Sequence, residues 1–293
     1  MKHHFGDLLD REGDYWTIIP NRERFVDLIE RLEPGDEQVK VVTVEGNSPA
    51  WHHIKSFANL EELTLHSPTE VQLTGLAELT HIKRLRITHA RPKEISVLGE
   101  LCWLEELVLE YVSGFSDLSP LQKLSRLKSV HFENLRRVSD FGGLAGIHSL
   151  RYLSIDGTLD WKQPILDFEF LRSLPNLEVL SLGGVALKAP FPATLPLMTL
   201  KKLKRIRIPR NMLVAEEYAL MEVGLKGLKG STWGPQHQLR YSAQEEWFEF
   251  TGKGAGRAKC GHLDSARKCA EYAAKYEAMK NAAAHLLEAE GIV

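Results

Sequence analysis

Eight copies of the pattern LxxLxL, or of a β-branched or aromatic variant of it, recur along this chain, beginning at Val39, Leu60, Ile82, Leu104, Leu127, Leu150, Leu177 and Leu203. Subtracting neighbouring starts gives 21, 22, 22, 23, 23, 27 and 26 residues. A short strand repeated at such a period cannot bury its apolar face alone and does so by stacking on its neighbours, so the recurrence calls for a solenoid. Alternate strand residues face opposite sides, which sends the apolar positions of each copy inward and leaves the third, fifth and seventh to line an outer face. That face is expected to be concave.

A second apolar set closes each coil, as in Phe115, Leu118, Leu121 and Leu124 and again in Val138, Phe141, Leu144 and Ile147. These return segments are too short for long helices. The stretches SDLSPLQKLSRLKSV and VSDFGGLAGIHSLRYL resemble the short leucine-rich repeats of the phosphatase-regulator and internalin-type classes, over roughly residues 39 to 213. The resemblance implies an α/β leucine-rich repeat solenoid with a curved parallel sheet on its concave face, a bacterial source, and protein recognition without catalysis. One feature departs from that pattern. In the six copies from Leu60 to Leu177 the ninth position, where many such repeats carry Asn, holds Pro68, Ala90, Val112, Leu135, Thr158 and Val185, and Asn stands there at Asn211. An asparagine ladder therefore cannot satisfy the turn backbone, although Thr158 can do so locally.

Open ends of a stacked sheet invite pairing with other chains unless they are covered. Phe25, Leu28, Ile29 and Leu32 fall at helical spacing, with Asn21 placed to cap the first turn and Pro34-Gly35 to stop it, so residues 1–38 read as a helical cap. The solenoid is expected over 39–235, with helix near 212–223 and a degenerate ninth unit at Leu225 and Leu228. A ββα module follows over 236–293. Its long helix gathers Cys269, Tyr272, Ala273, Tyr276, Met279, Ala283, Leu286 and Leu287 on one side.

Formal net charge is only −2, which gives no global case for nucleic acid or an acidic substrate. Cys102, Cys260 and Cys269 cannot all pair, the N-terminus is too charged for a signal peptide, and no apolar run approaches membrane-spanning length. A cytoplasmic location and no membrane partner are the expectations. HExxH, GxSxG, a Walker loop and a CxxC pair are all missing, so no catalytic centre, cofactor or metal is expected. The GKGAG turn at Gly252–Gly256 lacks the GK[ST] ending of a phosphate loop. Cys260, His262 and Cys269 fall short of the four ligands of a closed zinc site. Cys102 is expected to pack between coils, and His52 and His53 to point apart. The 251–280 segment carries seven Lys and Arg against three Asp and Glu, an excess of +4, and Trp247 lies nearby to stack on bases.

On the sheet face, Lys40, Glu61, Lys83, Glu105 and Lys128 alternate in sign at the second position, and Glu62, Arg84 and Glu106 at the third, so these are expected to pair internally. The seventh position differs. Glu110, Glu133 and Asp156 follow one another with no cation between them, beside Tyr111, His131, Asn134 and Tyr152. The longer unit after Leu150 places Trp161 either at the rim or against the next coil, and Arg205, Arg207 and Arg210 form a basic cluster. These eleven residues are read as a surface that binds a partner protein, acids and rings taking a basic patch and arginines an acidic one. Simple solvation, with Arg84, Lys128 or Arg151 relieving the acids, is the competing reading. Two further functions stay open: a nucleic-acid adaptor using the basic C-terminal segment, and an inhibitor or immunity-type regulator of a partner enzyme. The sequence favours a protein partner over nucleic acid, and a monomer over a dimer.

Overall fold

The computed structural model describes residues 28–230, 233–242 and 245–292, together with the backbone of 11–12 and 15–16, which form a short antiparallel pair. Each repeat contributes one strand: Val41–Glu45, Glu62–His66, Arg84–Thr88, Glu106–Glu110, Ser129–Glu133, Tyr152–Asp156, Val179–Gly183 and Arg205–Arg207. These align in chain order as one eight-stranded parallel sheet. The register keeps equivalent positions abreast, so that Leu63, Leu85, Leu107, Val130, Leu153, Leu180 and Ile206 form a continuous row. All seven are buried. Both return sets, Phe115 to Leu124 and Val138 to Ile147, are buried as well, and their backbone closes through 3-10 turns such as Ser119–Lys123 and Gly142–Leu144.

The missing asparagines have a structural answer. Ala90, Val112, Leu135 and Val185 at the ninth position are core residues, packed with the leucines. The adjacent eighth position carries the turn instead. Ser67, His89, Tyr111 and Asn134 all adopt left-handed backbone, with φ of 49°, 57°, 55° and 57°. Each N–H donates to the seventh-position carbonyl of the next repeat: Thr88, Glu110, Glu133 and Asp156. This conformation costs an L-residue about 1–2 kcal/mol, and the array meets that cost repeatedly to prolong the sheet ladder by one bond per repeat. In the long unit, Gln163 completes the turn of an earlier repeat. Its buried amide accepts from Leu135 N–H at 2.9 Å and donates to the carbonyl of Val138 at 2.7 Å. Thr158 acts locally, as expected, its hydroxyl oxygen accepting from Trp161 N–H at 3.1 Å.

At the N-terminal edge, Leu28 bridges Thr43 in parallel and Ile29–Arg31 forms a 3-10 turn rather than the end of an α-helix. Asn21 and Phe25, on which the helical cap was to rest, lie outside the described residues. At the other edge Lys229 bridges Arg205, which among the described residues is the pairing that the degenerate ninth unit adds to the sheet. Between them runs the helix Ala215–Gly224. It is pinned by Tyr218, whose hydroxyl oxygen accepts from Met212 and Leu213 N–H, and by Glu217, a buried carboxylate accepting from Ala193 and Thr194 N–H at 2.8 and 3.0 Å.

The C-terminal segment has one strand more than expected: Gln236–Ser242, Glu245–Phe250 and Arg257–Lys259 form an antiparallel sheet before the helix Ser265–Ala289. That helix packs along Ala215–Gly224, burying Tyr276, Ala283 and Leu287 and donating from Tyr276 Oη to Glu222 at 3.1 Å.

Candidate functional site

The outer sheet face is a charged surface in which most side chains have partners across the strands. The second-position ladder pairs as expected, Lys83 with Glu61 at 3.4 Å and Lys128 with Glu105 at 3.2 Å. It continues through Arg151, Glu178 and Lys204. Burial works against Glu178 ionisation, but the hydrogen bonds and charges of Lys204 and Arg151 outweigh it and hold the carboxyl below its ordinary range. Arg84 stands between Glu106 at 3.3 Å and Glu62 at 3.9 Å.

Glu110 corrects the reading of an unrelieved acidic row. Arg86, at the fifth position of the preceding repeat, reaches it diagonally, Nη2 and Nε lying 2.6 and 2.7 Å from Oε2, and both side chains are buried. Diagonal neighbours on a sheet lie within reach of a long side chain. Neither Arg84, Lys128 nor Arg151 is the cation that relieves it.

Beyond Glu110 the face opens into a concavity of about 820 Å3. Of the eleven residues proposed from sequence, nine line it: Tyr111, His131, Glu133, Asn134, Tyr152, Asp156, Trp161, Arg205 and Arg207. Register explains the gathering, because Glu133 and Asp156 are abreast, as are Tyr152 and Val179, and Val179 and Arg205. Trp161 is half-buried and forms part of the wall made by residues 157–161, where Leu159 is 93% exposed. This settles the choice between rim and coil in favour of the rim. Glu110 does not line the concavity, and neither does Arg210. The latter belongs to the junction with the C-terminal segment: its carbonyl accepts from Gly252 N–H, and the guanidinium loses water there, easing its proton affinity downward against the pull of Glu249.

Asp156 is the electrostatic centre of the floor. Loss of surrounding water pushes its carboxyl upward, the charges of His131 and Arg207 and a hydrogen bond from Ser154 pull it down, and Glu133 adds to the rise. Its place depends on Gly183, where a Cβ would fall 1.8 Å from Asp156 Oδ1. Burial drives the Tyr152 hydroxyl far above its ordinary range, so this ring stays neutral. Tyr111 stacks on His89 at 4.9 Å with planes 3° apart, and it also lines a smaller neighbouring hollow with Arg136.

Sequence reasoning missed Arg86, Arg136, Leu159 and Gly183. Arg86 was detectable in principle, as the residue one strand and two positions away from an uncompensated acid. The other features singled out from sequence do not converge here. The amides of Gly252 and Lys253 donate to the carbonyls of Arg210 and Leu213, so the glycine-rich turn is committed to docking the C-terminal segment. Arg257 covers the Trp247 ring at 4.3 Å, while Arg267 and Lys280 pair with acids of their own and neighbouring elements. Cys260, His262 and Cys269 do not assemble into a ligand group among the described residues. Cys102 is exposed rather than packed between coils, and the His52 and His53 rings lie 3.8 Å apart instead of diverging. No described helix is long and apolar enough to cross a membrane.

No model of a known protein family matches the chain, and no curated protein does. Solved structures do. Internalin C2 from Listeria monocytogenes is 25% identical, with 53% of this chain and 63% of that one covered and a TM-score of 0.42. A second Listeria monocytogenes internalin, InlF, is 24% identical over 66% of this chain and 59% of its own, with a TM-score of 0.43. Mouse RP105, solved in complex with MD-1, is 18% identical over 59% and 34%, with a TM-score of 0.43. The chain thus spans about three fifths of the internalins it matches.

Proposed function

We propose that this chain, a leucine-rich repeat protein by its eight strands in register, is a non-catalytic scaffold that holds a partner protein in the concavity on the outer sheet face. The observation that carries the reading is the convergence of Tyr111, Tyr152 and Trp161 with carboxylates on one wall and the guanidiniums of Arg205 and Arg207 on another. Aromatic rings and arginines dominate the energetics of protein recognition, because they bury large area at low entropic cost and offer directed polar groups. Leu159 adds an apolar tip that folding alone leaves in water. The matching partner surface is an extended segment with a cationic side chain for Glu133 and Asp156 and an acidic one for the arginines. Three free cysteines favour a reducing, cytoplasmic setting.

The test compares affinity capture by the wild-type chain with capture by Trp161→Ala and Arg207→Glu, followed by titration of the purified captured protein. Loss of a central aromatic or arginine anchor weakens binding by about 30-fold or more. Retention of the same protein with equal affinity by both variants overturns the reading.

A further inference from the structure

We infer that Glu110, His131 and Glu133 form a binding site for a divalent transition-metal ion at the edge of the concavity. Glu110 and Glu133 are abreast on the strands Glu106–Glu110 and Ser129–Glu133, and His131 lies two residues before Glu133 on the same face. One donor atom from each residue lies within 4.8 Å of the other two. Two of these residues offer buried donor atoms without a hydrogen-bond partner. His131 is 6% exposed and neither ring nitrogen has a hydrogen-bond partner among the described residues; Glu110 is 1% exposed and its Oε1 has none. Burying such groups without partners carries a free-energy cost that a bound cation removes.

The surroundings hold these donors in place. Arg86 fixes Glu110 through Oε2, which leaves Oε1 as the donor. Asp156 Oδ2 lies 3.9 Å from His131 Nδ1 and itself accepts a hydrogen bond from Ser154 Oγ at 2.7 Å. That leaves His131 Nε2, 3.9 Å from Glu133 Oε2, for the ion. The Asp156–His131 contact is longer than a hydrogen bond, and its shortening would give the carboxylate–imidazole pair that orients ligands at metal centres. Donors on one zinc ion sit about 3.3–3.5 Å apart, given bonds near 2.0–2.2 Å, so modest side-chain rotation closes the group. Glu110 and Glu133 carry two carboxylates against the single Arg86 cation, an excess of negative charge that a doubly charged ion offsets. An imidazole with two carboxylates suits zinc or its first-row neighbours over magnesium or calcium. His131 and Glu133 both line the concavity, so the remaining coordination positions open onto it.

The inference does not rest on the docking proposal, since an ion binds here with or without a partner. The test is equilibrium dialysis of the metal-stripped full chain against zinc, alone and with excess magnesium, with cobalt(II) visible spectra as a report on imidazole ligation. One zinc per chain, resistant to magnesium, is expected. His131→Ala and Glu133→Gln should each weaken it by about 100-fold or more, with zinc-free circular dichroism confirming that the fold is kept. Glu133 is the more accessible position and serves if His131→Ala does not fold. No zinc bound by the wild-type chain, equal displacement by magnesium, or folded variants that bind zinc like the wild type would each overturn the site.

Discussion

The outer sheet face has two halves built from the same repeat. From Glu62 to Glu110, Arg84 spans Glu62 and Glu106, and Arg86 closes on Glu110, so that charge is matched within the face. From His131 to Arg207, acids and guanidiniums stand around a hollow, and the Asp156 carboxyl is driven upward by lost hydration and by Glu133. The backbone is equivalent in both, down to the register. What differs is the reach of the side chains and the insertion at residues 157–161. A repeat array can therefore complete its surface in one stretch and leave it poised for something else in the next, with no change of fold.

The sharpest way to break this contrast is Arg86→Ala, which strands Glu110 in a buried place. A loss of about 3–5 kcal/mol is expected on chemical denaturation, because removing one member of a buried pair leaves an uncompensated charge. Gln163→Ala ranks next. It leaves Leu135 N–H and the Val138 carbonyl without their side-chain partner, at about 1–3 kcal/mol, read from the denaturation midpoint at unchanged slope. Gly183→Ala pushes only the tip of the Asp156 side chain aside, so it should cost less than about 1 kcal/mol and yet weaken partner capture. An equal loss of stability with capture intact would separate Asp156 from docking.

A smaller effect comes from pH. The folded-state pKa of Asp156 is raised, so its contribution to stability is fully present below the unfolded pKa and is lost as pH rises through the folded value. Asp156→Asn should flatten that part of the stability profile. Binding of a cationic group should lower the carboxyl again and release a proton, which calorimetry in buffers of different ionisation enthalpy detects. Smallest of all, Lys123→Ala breaks an exposed pair with Glu100 in the matched half and should change stability by no more than about 0.5 kcal/mol.

The repeat period carried the sheet, its register and the core, because every apolar position of LxxLxL answers to the same steric requirement. It also brought together nine of the eleven site residues, since equivalent positions must stack. The exceptions fail for separate physical reasons. Glu110 was read along its own row, whereas Arg86 meets it on the diagonal. Arg210 follows the last repeat strand, where the chain turns to meet the Gly252 amide. Gln163 could not be identified from spacing, because it serves a turn 28 residues earlier, and its signal was only a polar residue inside an unusually long unit. The left-handed eighth position was hidden by its variety: serine, histidine, tyrosine and asparagine share the conformation without sharing chemistry.

That variety has a bearing on how such a molecule changes over time. The ladder at the eighth position is made by main-chain atoms, so the wiring of the array does not depend on which side chain stands there. Ser67 remains in water, His89 borders the smaller hollow, and Tyr111 and Asn134 flank both. One column of the solenoid is therefore free to be rewritten letter by letter, altering what it greets while the interior is inherited intact.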